Sequence, residues 1–481
     1  MPTSLLPADA GVFASPQERL PEQITVGKDI VELVTGAMYL DPLTVYREYV
    51  QNAADSIDDG LSSGLFSRGK KPRIDISLDP TLRTARIRDN GGGVRRTSFA
   101  PTLTAFGGSK KRGKNSRGFR GIGRLSGLAF CETLTFRTKA AGDHHISAIH
   151  WDGRRLKELL LDHTFSGGLE EIVFEIATLE RSDALDPDEH FFEVEMRGVV
   201  RHKNDVLLNE DSVARYLSEV GPVRFHPEFR FGQEIAQHLA KWGADSAYDI
   251  RVNGSADPIY RPFRNGFEVR GGRSDTFTGW EPLVFDGLSE DVTAVGWILH
   301  HSYQGALNES LGLKGLRLRK GNIQVGASEV LREVFTECRF NSWCIGEIHA
   351  VSRHLIPNGR RDYFEQNRHF LHVLSQIAPV TDAIAKISRG KSRERQSLKE
   401  QQHRPPVRFP FTPSQEKLLC STAPKIAATL RVVADLLSGL DLPQTAKVVN
   451  RLLRGLAAPP AHSSINKMKN RKRRSLKGKA R

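Results

Sequence analysis

The chain has few cysteines, four in 481 residues. They are scattered and form no CxxC pair or nearby Cys/His group, so the sequence predicts neither a zinc site nor a disulfide framework. Long hydrophobic runs are also absent, since no stretch approaches the roughly 20 apolar residues of a membrane span. The N-terminus lacks the basic run and apolar core of a secretory signal. We therefore expect a cytoplasmic protein with no membrane partner.

Acidic residues are too few to balance the basic ones, and the formal net charge is +14. Nine positive charges lie in the last fifteen residues, from Lys467 to Arg481, which leaves +5 for the rest of the chain. A segment this charged and this poor in apolar residues cannot form a core, so we expect a disordered basic tail. Such a tail is either simply solvated or binds nucleic acid or another polyanion without sequence preference.

The remaining composition is that of a soluble globular protein, with 39% hydrophobic and 26% charged residues. The chain is too long for one ordinary domain, and it contains no internal repeat, so we expect two or three domains. The predicted divisions are a loosely ordered N-terminus at 1–25, a first domain at 26–199, a second at 200–388, a linker at 389–413, a helical hairpin at 414–457 and the tail at 458–481.

The first domain combines one prominent helix with many strands. The helix is predicted from about Asp41 to Asp59, with Asp41 as N-cap, Pro42 in the first turn and "DDG" as the stop. A hairpin follows in "PRIDISLDPTLRTARIRDNGGG", where apolar residues alternate on both sides of Asp79-Pro80. Further strands are predicted at 133–138, 146–151, 172–176 and 191–196. The absence of a regular βαβ alternation predicts an α+β fold.

The second domain is also predicted to be rich in strands. Its candidates are "LRLRKGNIQVG" from Leu316 and "WCIGEIHAVS" from Trp343, followed by a helix from about Asp362. Beyond the linker, apolar residues at helical spacing on both sides of "GLDLP" predict the helical hairpin.

The helix of the first domain carries polar residues beside its apolar stripe. In "YREYVQNAADS", Glu48, Asn52 and Asp55 are spaced i, i+4 and i+7 and fall within roughly 60° of one another. Taken alone, such a row is usually a solvated helix face. It becomes a candidate site only when later segments of the chain are considered with it.

Two glycine-rich segments follow. "RDNGGGV" places Asp89 at a strand end before glycines, where the chain can turn and let a flat ligand approach. "AFGGSKKRGKNSRGFRGIGRLSG" ends in a GxxGxG spacing before an apolar helix, and backbone amides freed by glycine there suit phosphate oxygens. Its spacing is neither that of the P-loop nor that of a dinucleotide fold, and each segment alone would be weak evidence.

Together, in this order, the acid/Asn helix, the strand-end DxGxG and the GxxGxG segment resemble the GHKL ATPase superfamily. That superfamily includes the heat-shock protein 90 chaperones, the DNA gyrase B subunit, MutL proteins, microrchidia ATPases and sensor histidine kinases. The resemblance covers residues 46–130, and the helix motif and "GGSKK" are most similar to the bacterial heat-shock protein 90 version. It implies a Bergerat-type two-layer α/β sandwich, a β-rich transducer-like middle domain and a small helical C-terminal region.

The resemblance also implies ATP as ligand and Mg²⁺ as cofactor. Glu48 would be the general base for water attacking the γ-phosphate, and Asn52 would supply an amide oxygen to Mg²⁺. Asp89 would accept a hydrogen bond from the adenine amino group, with Gly91 and Gly93 leaving room for the base.

The remaining implied ATP-binding residues lie mostly in the GxxGxG segment, which would wrap the phosphates. Asp55 would either brace the pocket or contact the ligand, and Lys110 would add a positive charge. The full group is Asp55, Lys110, Gly118, Phe119, Arg120, Gly121, Ile122 and Gly123.

The sequence departs from the superfamily at its fourth motif, a Gly-Thr element before a late strand. Here "DPDEH" precedes the candidate strand "FFEVEMRGV", and His190 stands where threonine is expected. The identity of this fourth motif is therefore open.

In the second domain, "LIPNGRRDYFEQN" resembles a loop of the chaperone middle domain. On that match Arg361 would reach the γ-phosphate and neutralise its developing charge, with Gln366 a weaker candidate for the same role. The alternative is an ordinary basic helix start, where Asp362 favours the helix dipole.

Two functions compete. The first is a heat-shock protein 90-like ATPase that acts as a homodimer on protein clients, with ATP driving lid and domain closure. The second is a nucleic-acid-associated GHKL ATPase of the microrchidia or MutL kind, which the basic tail favours. An ATP-binding scaffold with little turnover is a third reading, and Glu48 argues against it.

Overall fold

The computed structural model describes residues 41–66, 71–105, 123–184, 186, 188–269, 273–289, 291–403, 413–439, 445, 447–450 and 453. The chain divides into two compact units, Met1–Ser392 and Arg393–Arg481. The first unit contains both large β-sheets, and the second contains helix.

The first sheet has seven strands in the order β5-β4-β3-β6-β2-β1-β7. All neighbours are antiparallel except β1 and β7, which run parallel. The strands are β1 (Arg73–Asp79), β2 (Thr84–Asp89), β3 (Thr133–Lys139), β4 (His145–Asp152), β5 (Ala177–Asp183), β6 (Phe191–Arg197) and β7 (Asp249–Val252). Asp89 ends β2, opposite Ile74 of β1 and Phe192 of β6.

Helices and one 3-10 helix accompany this sheet. They are α1 (Thr44–Ser62), α2 (Arg96–Thr104), the 3-10 helix Gly123–Ala129, α3 (Gly153–Leu161), α4 (Leu169–Ile176) and α5 (Glu210–Val220). Helix α1 buries Val45, Tyr46, Tyr49 and Val50 in one apolar core with inward residues of the strands. Alternation along the strands leaves the opposite face polar, and there arginines such as Arg86 cover the buried carboxylates of β6.

The second sheet has five strands in the order β10-β11-β14-β12-β13. Its members are β10 (Gly279–Asp286), β11 (Val292–His300), β12 (Gly315–Lys320), β13 (Ile323–Val325) and β14 (Ile345–Ala350), and a separate hairpin is formed by β8 (Gly266–Val269) and β9 (Arg273–Thr276). Only β12 and β14 pair in parallel within this sheet. Helix α6 (Gly232–Ala240) precedes it, and helix α7 (Arg368–His403) follows it. The second unit contains α8 (Pro413–Gly439).

A buried charge cluster joins the second sheet to the chain between α5 and β8. Glu347 of β14 accepts hydrogen bonds from Arg319 Nε at 2.7 Å and from Arg261. Arg319 also donates to the backbone oxygens of Glu219 and Gly221 at the end of α5. Burial alone would raise the pKa of Glu347, but the two guanidinium charges outweigh burial and hold that pKa well below its usual range.

The α+β fold is confirmed, as are the β1–β2 hairpin and the strands at 133–138, 146–151 and 191–196. The strand predicted at 172–176 is wrong, because those residues belong to α4. The Glu171 carboxylate accepts a hydrogen bond from the backbone amide of Gly168 and caps this helix, whose apolar residues follow helical spacing.

Helix α1 is displaced from its predicted bounds. It begins at Thr44 because residues 41–43 form a turn, in which the Asp41 carboxylate accepts from the Leu43 amide at 3.0 Å. It continues past Gly60, so "DDG" does not stop it; the left-handed residue beyond its end is Gly64, with φ of +75°.

Two predicted domain limits differ from the observed strand pairing and helix bounds. Strand β7 lies in the segment assigned to the second domain but pairs with β1 of the first sheet. The helix predicted from Asp362 begins at Arg368 and runs to His403, so the first part of the expected linker is helical. Among the residues described, no helix is long and apolar enough to cross a membrane.

Replacing Glu347 by alanine should destabilise the first unit strongly. The change leaves Arg261 and Arg319 buried without their shared carboxylate, which typically costs about 3–5 kcal/mol. The measurement is the free energy of unfolding from urea titration. Asp75→Ala is the matched control, because its ion pair with Arg73 lies on the surface and should contribute about 1 kcal/mol or less. Equal losses in the two variants would contradict the structural importance of the cluster.

Candidate functional site

The polar row of α1 is not a solvated face. Glu48 is 7% exposed and Asp55 is 4% exposed, whereas Asn52, between them, is half-buried. Gln51, one turn beyond Glu48, is only 2% exposed. The Glu48 carboxylate lies 3.3 Å from Arg47 Nη2. A carboxylate, an amide and a second carboxylate thus line a largely covered side of one helix.

The DxGxG loop packs directly against α1. The Ser56 hydroxyl donates to Asp89 Oδ1 at 2.9 Å, and the backbone amide of Gly91 donates to the same oxygen at 2.9 Å. A side chain at position 91 would place its Cβ 2.3 Å from Ser56 Oγ and 2.6 Å from the Ser56 carbonyl carbon. Glycine is therefore required here because α1 and the loop approach too closely for any side chain.

Gly93 is required for a second reason. Its φ of +64° is the left-handed region, and a Cβ there would meet the Lys139 carbonyl oxygen at 2.3 Å. The two glycines of the motif consequently fix the loop between α1 on one side and the end of β3 on the other.

Asp89 is buried at the end of β2 with an altered acidity. Burial raises the pKa of Asp89 to about 7, although the hydrogen bonds from the Gly91 amide and the Ser56 hydroxyl oppose that rise. Near neutral pH the group therefore exists in both protonation states. A strongly shifted carboxyl beside a glycine loop is typical of a ligand-binding site.

His190 lies beside this loop, at the position where the fourth motif was in doubt. Its Nδ1 is 2.8 Å from the Gly91 carbonyl oxygen, and its ring meets the edge of Phe66 at 6.3 Å between centroids. The residue directly precedes β6, whose Phe192 pairs with Asp89. His190 thus supports the DxGxG loop by a contact that threonine could not make in the same way.

The GxxGxG segment is described only at its end. Gly123 begins the 3-10 helix, and the Gly127 amide donates to the Tyr49 hydroxyl of α1 at 3.0 Å. A Cβ at position 127 would lie 2.4 Å from that hydroxyl, so the 3-10 helix is seated closely on α1. The other residues predicted in this segment lie outside the described residues; they are Lys110, Gly118, Phe119, Arg120, Gly121 and Ile122.

The structure brings Arg361 of the second-sheet region to α1. Its side chain is buried, and Nη1 donates to the Gln51 amide oxygen. Arg47 Nη2 completes the contact by donating to the Arg360 carbonyl oxygen at 3.3 Å. Arg361 therefore contacts α1 about one helical turn after Glu48. Gln366, the weaker candidate, has no described contact with α1.

Sequence reasoning missed Arg47, Gln51 and Ser56, although all three lie on α1. Ser56 stands four residues after Asn52, on the same helical stripe, and that spacing could have identified it. Gln51 and Arg47 could not be found this way, because their partners lie more than 300 residues away in the chain.

Part of the chain matches a known protein family. Residues 44–161 match the family described as histidine kinase-, DNA gyrase B-, and HSP90-like ATPase. The chaperone protein HtpG of Albidiferax ferrireducens is 24% identical over 170 residues, 32% of this chain and 23% of that protein. HtpG of Salmonella paratyphi A is 26% identical over 142 residues, 26% of this chain and 23% of the relative. HtpG of Burkholderia ambifaria is 26% identical over 152 residues, 28% of this chain and 24% of the relative.

These matches cover about a quarter of each relative's length, so they describe one domain rather than a whole protein. The matched family model begins at the first residue of α1 and includes Asp89 and the glycine loops. Residues 44–161 are thus a GHKL-type ATPase domain, in a chain distantly similar to HtpG over part of its length.

Proposed function

We propose that this chain binds ATP with Mg²⁺ and hydrolyses it to ADP and phosphate. The observation that carries the proposal is that the buried Asp89 is bonded through Ser56 to α1, the helix that also carries the buried Glu48. A buried acid needs partners, and α1 connects the two acids, because Ser56 of this helix bonds to Asp89 and Glu48 lies about two turns earlier on it. This arrangement suits a ligand with a hydrogen-bonding base at one end and phosphates at the other.

The base would bind at the Asp89 end. The Asp89 carboxylate would accept a hydrogen bond from the adenine amino group, beside Gly91 and Gly93, whose lack of side chains lets the loop pack closely on α1 and β3. The loop carrying Asp89 is held by Ser56 and His190, so the acceptor is positioned before the ligand arrives.

The phosphates would lie toward Glu48 and Asn52. Asn52 fits a Mg²⁺ ligand, because its half-buried amide reaches the same side of α1 as both acids, and Mg²⁺ commonly takes few protein ligands together with phosphate oxygens and water. Bound Mg²⁺ would neutralise phosphate charge. Glu48 would orient the attacking water and accept its proton, while Asp55 would brace the wall of the pocket.

Arg361 would neutralise charge on the terminal phosphate. Its contact with α1 about one helical turn after Glu48 supports this role. Lys320 adds a second cation nearby: burial first, and then the positive charge of Arg361, lowers the pKa of Lys320 to about 8. Two neighbouring cations in a largely covered region would favour the binding of an anion between α1 and the second-sheet region. We propose that Lys110, Gly118, Phe119, Arg120, Gly121, Ile122 and Gly123 close over the phosphates.

A chaperone-like role for the whole chain is our leading proposal, supported by the HtpG relatives. We further propose that the ATPase domain spans 26–199, that a transducer-like domain spans 200–388, and that the helical C-terminal region forms a homodimer. Helix α8 supports the last point, because it exposes Ile426, Val432 and Leu436. The alternative, a nucleic-acid-associated ATPase, is favoured by the nine cations from Lys467 to Arg481.

Glu48→Ala should keep ATP binding and lose hydrolysis, because the base acts on water and not on the nucleotide's binding contacts. We expect turnover to fall by about 100-fold or more, as for loss of a general base, with ADP affinity within about twofold of wild type. Phosphate release and calorimetric titration measure the two quantities. Wild-type turnover in this variant would refute the assignment of Glu48.

Asp89 should make nucleotide affinity depend on pH. Accepting a hydrogen bond favours the ionised carboxylate, so ADP affinity should fall as pH drops below about 7. The raised pKa has the opposite effect on folding. Because the folded state holds the Asp89 proton more tightly than the unfolded state, the folded protein loses stability as pH rises from about 4 to about 7. Ser56→Ala removes a hydrogen bond that lowers this pKa and should move the affinity midpoint up by about one pH unit.

Calorimetry of ADP binding between pH 6 and pH 8.5 compares wild type with Ser56→Ala, so titration of ADP itself is common to both. Asp89→Asn should abolish binding at every pH. Identical pH profiles for the wild type and Ser56→Ala, or normal affinity in Asp89→Asn, would count against the adenine role.

Deletion of residues from Lys467 onward distinguishes the two proposed cellular roles. If the protein is a nucleic-acid-associated ATPase, DNA should stimulate ATP turnover, and the deletion should abolish that stimulation. If it is chaperone-like, suppression of aggregation of an unfolded test protein should survive the deletion, and DNA should have no effect on turnover.

A further inference from the structure

The loop before α7 docks on α1 through two reciprocal hydrogen bonds. Arg361 donates from the loop to the Gln51 amide oxygen, and Arg47 donates from α1 to the Arg360 carbonyl oxygen. The residues on the α1 side, 47 and 51, lie on either side of Glu48 in the chain. A movement of the loop tip would therefore displace the helical turn that carries Glu48.

The loop itself is tightly braced. Pro357 and Phe364 form an isolated β-bridge, and the Arg361 amide donates to the Asn358 carbonyl oxygen at 3.1 Å. Arg361 has a φ of +54°, a left-handed conformation uncommon for a residue with a long side chain. The Gly326 amide donates to the Arg361 carbonyl oxygen at 2.8 Å and helps to hold this conformation. The backbone thus fixes the root of the arginine, and the contact with Gln51 fixes its tip.

Gln51 provides a neutral acceptor in a buried place. A carboxylate at this position would form an ion pair with Arg361 and cancel the charge that an anion needs. An apolar residue would leave the Nη1 donor without this partner. The amide oxygen can orient a guanidinium without itself neutralising the positive charge.

We propose that Gln51 is a positioning residue for ATP turnover, which holds Arg361 in line with Glu48 through an uncharged hydrogen bond. The inference rests on the proposed ATPase function and assigns a role to a residue that the acid/Asn motif does not include. Gln51 acts through Arg361, so its effect belongs in turnover rather than in nucleotide affinity.

The experiment uses the full-length chain and three substitutions. Gln51→Met keeps the side-chain length and removes the acceptor, and Gln51→Glu keeps the shape and adds a charge. Gln376→Met is the matched control, because Gln376 exchanges two hydrogen bonds with the Asp286 backbone and does not contact α1. Thermal unfolding, ADP affinity, KM and kcat for ATP are measured for each variant.

We expect Gln51→Met and Gln51→Glu each to lower kcat by about tenfold, the scale of one hydrogen bond near 1.4 kcal/mol, while ADP affinity stays within about twofold. Gln51→Glu should keep or raise the unfolding temperature, because its ion pair with Arg361 keeps the loop bound to α1. A lower kcat in a variant at least as stable as wild type would exclude a merely structural effect. Gln376→Met should keep wild-type kcat. Adding Gln51→Met to Arg361→Ala should cause no further loss.

Three results would overturn the proposal. The first is wild-type kcat in Gln51→Met. The second is a kcat in the double variant, Gln51→Met with Arg361→Ala, that is lowered by the product of the two single effects, since Gln51 would then act independently of Arg361. The third is a wild-type rate in Gln51→Glu. If Glu48→Gln is inactive while any of these holds, the positioning role fails and the ATPase function stands. A wild-type chain that does not hydrolyse ATP would overturn both.

Discussion

Helix α1 places charged and polar groups where water is largely excluded, and the rest of the site depends on how those groups are paired. A buried carboxylate without partners would cost several kcal/mol or take up a proton. Glu48 lies beside Arg47, and Asp89 is bonded to Ser56 of the same helix. The helix is thereby fixed to the DxGxG loop at one end and to the Arg361 loop at the other. One element thus determines the relative positions of both ends of the proposed pocket.

Much of this could be predicted from the sequence, because the relevant information is local. Alternating apolar residues defined β1 and β2, and the glycines after Asp89 predicted a turn that a flat ligand could approach; in the structure Gly91 of this turn packs against Ser56 of α1. The ends of α1 could not be predicted, since they depend on a turn at residues 41–43 and on Gly64 rather than on the apparent stop at Gly60. The strand predicted at 172–176 failed because a short apolar run fits a strand or a helix, and the Glu171 cap decided for the helix.

The contacts between α1 and the second-sheet region could not be predicted from local sequence patterns. In the sequence Gln51 is one more polar residue on a helix, and only the fold brings Arg361 into contact with it. The same holds for Glu347, whose partner Arg261 lies 86 residues away and belongs to a segment with no regular structure. Burial decides the roles of such residues, and burial of a single polar residue is not encoded in periodicity.

The Glu347 cluster and the Gln51–Arg361 contact both connect the second-sheet region to helices that accompany the first sheet. They differ in how their charges are paired. In the Glu347 cluster one carboxylate is shared between two guanidinium groups, so separating it would leave buried charges without their ion-pair partner. The Gln51–Arg361 contact instead joins a cation to a neutral amide, which orients the guanidinium without neutralising it. The second sheet is therefore held through α5 and the Arg261 segment by ion pairs, whereas the loop before α7 is held on α1 by hydrogen bonds. Coupling between a bound nucleotide and the second sheet would then begin at Arg361, and the Glu347 cluster would anchor that sheet.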